Sequence, residues 1–95
     1  MLEFAWDESK NKWNQHKHGL TFNEASTAFY DENAKEFFDP DHSDEEERFI
    51  LLGMSQKARI LVVCYCYRSE ESIIRIISSR KANKLEQKAY LEINL

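Results

Sequence analysis

Leu2, Phe4 and Trp6 alternate with Glu3 and Ala5, the period-two spacing of a short half-buried strand. Asp7 stands where a helix needs a cap, Glu8 falls in the first turn, and a helix is expected through about His18. Lys17 and His18 occupy the last turn, where cations are favoured, and Gly19 suits a left-handed stop. Trp13 is the only large apolar anchor of this helix, which should therefore lie on a sheet with one face wet. Thr21 and Glu24 have the spacing of a capping box, and Phe22, Ala25 and Phe29 repeat as on a second short helix.

After Tyr30 the period changes. Ala34 to Phe38 reads as a short strand ended by the Asp39-Pro40-Asp41 turn, and His42 to Glu47 as a charged loop. Arg48–Met54 and Ile60 to Tyr67 are strands joined by SQKAR, and Ile73 to Ile77 follows the SEES turn. The run ILVVCYCY has no polar face, so it belongs at the centre of the sheet, covered on both sides. From Lys81 to Glu92 the spacing is helical again, with Leu85, Ala89 and Glu92 aligned. The order gives an α+β fold: an N-terminal strand, two helices, an antiparallel meander and a C-terminal helix, as a single domain over residues 1–95.

Composition removes several classes. Two glycines, one proline and twelve aromatics argue against disorder. The longest apolar run covers eight residues and cannot span a bilayer, and the start MLEFAWDESK lacks the plan of a signal peptide. Cys64 and Cys66, one residue apart on a strand, cannot bridge each other. A reduced, cytoplasmic protein is expected.

The net charge of −4 conceals a division. Residues 1–50 hold five Lys/Arg against thirteen Asp/Glu, and residues 51–95 hold eight against four. The acids are densest from Asp31 to Glu47, the cations from Lys57 to Lys84.

Among chemical candidates, His16 and His18 diverge by about 200° on a helix and do not converge on one metal ion. The segment D-P-D-H-S-D-E-E lacks the glycine and the ligand ladder of a calcium loop. No metal and no cofactor is expected. The arginines say more. Arg75 interrupts Ile73, Ile74, Ile76 and Ile77; simple alternation sets it on the face of Ile73, Ile77 and Ser79. Arg48, Arg68 and Arg80 also fall near strand ends, and four converging guanidiniums would suit a phosphodiester. Internal ion pairs, Arg48 with Glu47 or Arg75 with an acid of the 31–47 stretch, are the equal alternative. His18 suits either proton transfer or helix-end charge compensation. Tyr65 and Tyr67 share a strand face that could stack on bases or pack in the core.

Several motifs together resemble the BrnT family of bacterial toxins. They are W-D-x-x-K-x-x-x-N-x-x-K-H-G from Trp6 to Gly19, F-x-E-A-x-x-x-F from Phe22 to Phe29, and D-x-x-H-S from Asp39 to Ser43. E-R-F-I-x-x-G-x-S from Glu47 to Ser55, L-V-V at Leu61 to Val63 followed by Arg68, and R-I-I-S-x-R-K-A from Arg75 to Ala82 continue the match. The resemblance runs over about residues 4–82, with Ser79 standing where the family usually has alanine.

It implies a RelE-like fold and a type II toxin that cleaves RNA and inhibits translation. The implied partner is a BrnA-like ribbon-helix-helix antitoxin, through which alone the complex would contact operator DNA. Metal-independent cleavage needs a base for the 2′-OH, cations for the phosphorane and an acid for the leaving oxygen. On this reading Arg48, Arg68, Arg75 and Arg80 hold phosphate, and His18, or failing it Glu47, moves protons. Lys17, Tyr65 and Lys81 support the substrate. RNA and antitoxin are both expected on the basic side, with Asp31 to Glu47 outside the RNA path. The alternative function is a non-catalytic module that binds the antitoxin and takes part in operon autorepression.

Overall fold

The computed structural model describes residues 2–68, 70 and 72–93 of the chain. Five strands form one sheet: β1 (Glu3–Ala5), β2 (Lys35–Asp39), β3 (Arg48–Met54), β4 (Ile60–Arg68) and β5 (Ile73–Lys81). Their spatial order is β1-β5-β4-β3-β2. Strands β2 to β5 make the expected antiparallel meander, while β1 runs parallel to β5 and makes the sheet mixed. The turn expected at SEES lies partly outside the described residues.

Helices α1 (Glu8–His18) and α2 (Phe22–Thr27) cover one face, and α2 runs on into a 3-10 turn at Ala28–Tyr30. The core between them and the sheet is built from Leu20, Phe22, Ala25, Leu61, Val63, Tyr65, Ile74 and Ile76. Gly53 lets this layer close: a Cβ there would stand 3.0 Å from the Ala34 side chain and 3.1 Å from the Ala28 carbonyl. On the other face α3 (Lys84–Ile93) covers only one end of the sheet. Its Tyr90 packs with Ala82 on Leu52, Met54, Ile60 and Val62. Leu85, which helical spacing aligns with Ala89 and Glu92, is 79% exposed; Tyr90 is the residue that anchors the helix. Strand β4 is central, as its apolar run requires, but beyond α3 one of its faces is left open.

The caps follow local chemistry. Asp7 accepts from the amides of Ser9 and Lys10, and Gly19 adopts φ 69° and ends α1. Thr21 caps α2 through the Glu24 amide, but the Glu24 side chain does not reach back to complete the box. It is buried and drawn to Arg59 and Ser55 across the sheet.

The anchors of α1 correct the sequence expectation. Trp13 is exposed, and the buried side chains of the helix are Asn11 and Asn14. Strand β1 reaches only as far as Arg75 along β5, which leaves the outer edge of β5 unpaired beyond it. Asn14 fills that gap: its Oδ1 accepts from the Ser79 amide (2.9 Å), and its Nδ2 donates to the Ser79 hydroxyl (3.0 Å) and the Leu20 carbonyl (2.9 Å). Asn11 accepts from the Phe22 amide at 2.8 Å. Replacing Asn14 with alanine strips buried backbone groups of their partners and should lower the unfolding free energy by about 2 kcal/mol in urea. An unchanged denaturation midpoint would mean that water replaces the amide at no cost.

Candidate active site

The open face of the sheet is organised by one irregularity. Tyr65 pairs with Ile76 and Cys64 with Ser78, so Ile77 is an extra residue, a bulge in β5. Before the bulge Arg75 faces the open side; after it the parity reverses. Ser79, expected beside Arg75, turns inward to Asn14, and Arg80 faces the open side opposite Val62. The register sets Asp39, Arg48, Cys66 and Arg75 in one row across β2, β3, β4 and β5. Beside that row lies a cleft of about 300 Å³ whose lining includes His18, Asp39, His42, Arg48, Cys64, Ser78 and Arg80.

A tightly held loop supplies one wall. Pro40–His42 forms a 3-10 turn that brings the His42 ring back over Asp39, with Nδ1 2.9 Å from Oδ2. Ser43 donates to the Asp39 carbonyl and accepts from the Arg48 amide, pinning both ends of the loop. Asp39 is itself buried, so a carboxylate with little access to water orients an imidazole that remains exposed. Sequence reasoning passed over His42. Its signal was the Asp39-x-x-His42 spacing across a proline, which only a tight turn makes into a pair.

Arg48 is the central cation. Its Nε is buried and has no hydrogen-bond partner among the described residues. Its Nη2 stands 3.6 Å from Glu46, which lies equally far from Arg68. Glu46, and not Glu47, is thus the acid beside these arginines; Glu47 is exposed and lies outside the cleft. The acidic segment does not stay clear of the basic side, since Asp39, His42 and Glu46 all come to it. Arg75 is half-buried and forms no ion pair among the described residues, which removes the alternative that it neutralises an acid of the 31–47 stretch.

Arg80 presents a fork to Glu86 of α3, with contacts of 2.7 and 2.8 Å. This hydrogen bonding raises the guanidinium pKa further against the opposing effect of burial, and it holds the Glu86 carboxyl below the usual range. Glu86 also accepts from the Asn83 amide, while Asn83 caps the Glu86 amide in return, so the start of α3 fixes the pair.

Arg68 and Arg75 are not part of the lining of the cleft, and Lys81 and Tyr65 lie farther from it. Lys81 is outside the cleft, in a separate depression with Arg59 and Gln87. Tyr65 is 1% exposed on the opposite, helix-covered face, in edge contact with Phe29 and with its hydroxyl donated to Glu36; it has no ring face free for a base. Burial also pushes its hydroxyl pKa up. Lys17 lies at the end of α1 beside His18, in a depression next to the cleft. Cys64 lines the cleft, but burial raises its thiol pKa, which suits packing and not nucleophilic attack.

Two imidazoles and the guanidiniums of Arg48 and Arg80 thus line one cleft on the open face of a small α+β sheet, a set of groups whose chemistry suits a phosphodiester. The family of ribonuclease toxins, BrnT, of type II toxin–antitoxin systems matches residues 6–86, and the chain belongs to it. The crystal structure of the Brucella abortus ribonuclease toxin BrnT, solved at 1.1 Å, is similar in fold, with 27% sequence identity and a TM-score of 0.67. The likeness covers 88% of this chain and 100% of that one. By sequence, no curated protein matches. The chain is a ribonuclease toxin with a protein antitoxin as its partner. Among the described residues no helix is long and apolar enough to cross a membrane.

Proposed function

We propose that the toxin cleaves RNA in the cytoplasm by metal-independent transesterification in the cleft between His18, His42 and Arg48. The observation that carries this reading is the Asp39–His42 pair beside a buried Arg48 Nε that lacks a partner among the described residues. His42, oriented by Asp39, takes the proton of the 2′-OH. The 2′-oxygen bonds to phosphorus as the bond to the 5′-oxygen breaks, and His18 protonates that leaving oxygen. The products are a 2′,3′-cyclic phosphate and a 5′-hydroxyl end. Arg48 and Arg75 stabilise the phosphorane. Arg68 and Arg80 are recruited when phosphate oxygens replace Glu46 and Glu86 at their forks.

The partner is a BrnA-like ribbon-helix-helix antitoxin that covers the same basic side and alone carries the complex to operator DNA. A non-catalytic role in autorepression is the second reading, favoured by the engagement of Arg80 by Glu86, which withdraws one cation from the free toxin.

Purified toxin in excess EDTA should cut RNA as fast as without it and leave cyclic or 3′-phosphate ends, read by end-labelling. Activity lost on chelation and restored by Mg²⁺ would overturn the mechanism. No cleavage in either condition would leave the second reading standing.

A further inference from the structure

We propose that Trp13, flanked by Lys10 and Lys17, is a stacking platform for the base of a single-stranded RNA nucleotide next to the scissile phosphate; the proposal rests on the ribonuclease reading above. Trp13 is 65% exposed, although it is the bulkiest side chain of α1. Core packing gives no reason for it, because Asn11 and Asn14 attach the helix, and the ring beside the indole is that of the exposed His16, with centroids 6.1 Å apart. Lys10 and Lys17 stand one turn before and one turn after the indole, on the same helix face. These three side chains line a depression that also includes His18, Ile77 and Ser78. The last three line the cleft as well, so the two hollows are continuous, with the β5 bulge at the seam.

The platform is also stiff. Asp7 caps α1 at one end, Gly19 closes it at the other, and the Asn14–Ser79 bonds fix it to β5. An indole face beside two ammonium groups suits a base and its neighbouring phosphates, and stacking tolerates any base because every base has a π-face. A duplex hides those faces, so the platform selects unpaired RNA. An antitoxin side chain could also seat on an indole. Continuity with the cleft favours RNA, since a strand threaded past His18 runs directly onto Trp13.

Trp6→Phe makes Trp13 the only indole, and a 2′-O-methyl oligoadenylate serves as an uncleavable probe. The probe should quench Trp13 emission saturably, and the same strand annealed to its complement should not. Trp13→Ala should weaken binding of the probe by about 5- to 100-fold and raise KM for RNA similarly with kcat little changed, and Trp13→Phe should restore most of the loss. Because the indole is exposed, the melting temperature should not move.

If Trp13→Ala binds and cleaves RNA like the parent, the platform is refuted while the ribonuclease reading survives. A loss of antitoxin affinity with RNA binding unaffected would make Trp13 a protein contact and equally refute it. If the parent toxin neither binds nor cleaves RNA, the ribonuclease reading falls and the platform with it.

Discussion

Arg48→Ala should lower RNA cleavage by about 100- to 1,000-fold while the protein remains folded. The rate loss is that of one donor withdrawn from a site where charge develops in the transition state. The small effect on stability follows from the ground state. Its Nε is already buried without a partner among the described residues, and Glu46, 3.6 Å away, is accessible enough to be hydrated when the cation leaves. Arg75→Ala should behave in the same way, because the half-buried guanidinium leaves no carboxylate stranded when it is removed. Single-turnover cleavage and thermal melts on the same samples separate the two effects. A variant that melts far below the parent would recast these arginines as structural, and one that cleaves normally would move the phosphate site elsewhere.

Glu24→Ala should destabilise the fold by about 3 kcal/mol, with no direct role in RNA binding. Glu24 is 3% exposed and accepts from Arg59 Nε at 2.8 Å and from the Ser55 hydroxyl at 2.7 Å, tying α2 to the β3–β4 hairpin. Removing the carboxylate leaves those donors without their acceptor. Hydrogen bonding to Arg59, with further help from Ser55, outweighs burial and holds the Glu24 carboxyl below its ordinary value of 4.5. The stabilisation is therefore complete above the unfolded value and is lost as pH falls through the folded one. Asp31 adds to the same trend. Burial pushes its carboxyl up, but the Tyr90 hydroxyl and the amides of Met54 and Asn33 together leave it lowered. Urea titrations should show the parent and Glu24→Gln far apart at pH 7 and converging below pH 4. A constant gap across that range would mean that the ionised form of Glu24 contributes nothing.

What the chain determines by itself is whatever depends on neighbours in sequence. Asp7, Gly19 and Thr21 cap and stop their helices because a cap needs only a side chain and the next two or three amides. The strands at Arg48–Met54 and Ile60–Arg68 are legible because β-branched and aromatic runs between turn residues have few other uses. Even the resemblance of its motifs to a toxin family can be read before any fold is known. Tertiary structure alone decided where the parity of β5 breaks, since a bulge is defined only against its partner strand; that break turned Ser79 inward and kept both Arg75 and Arg80 on the open face. The parallel pairing of β1 with β5 joins segments about seventy residues apart, beyond the reach of any local pattern. It stops short along β5, and so Asn14 rather than Trp13 anchors α1. Glu46 instead of Glu47 reaches the arginines, and Tyr65 instead of a surface residue fills the core, because alternation gives a side chain's parity but not which face another element will cover. His42 gained its partner from the 3-10 turn at Pro40–His42, which folds its ring back onto Asp39. The site is thus made of residues visible in the sequence, brought together by registers and turns that distant contacts set.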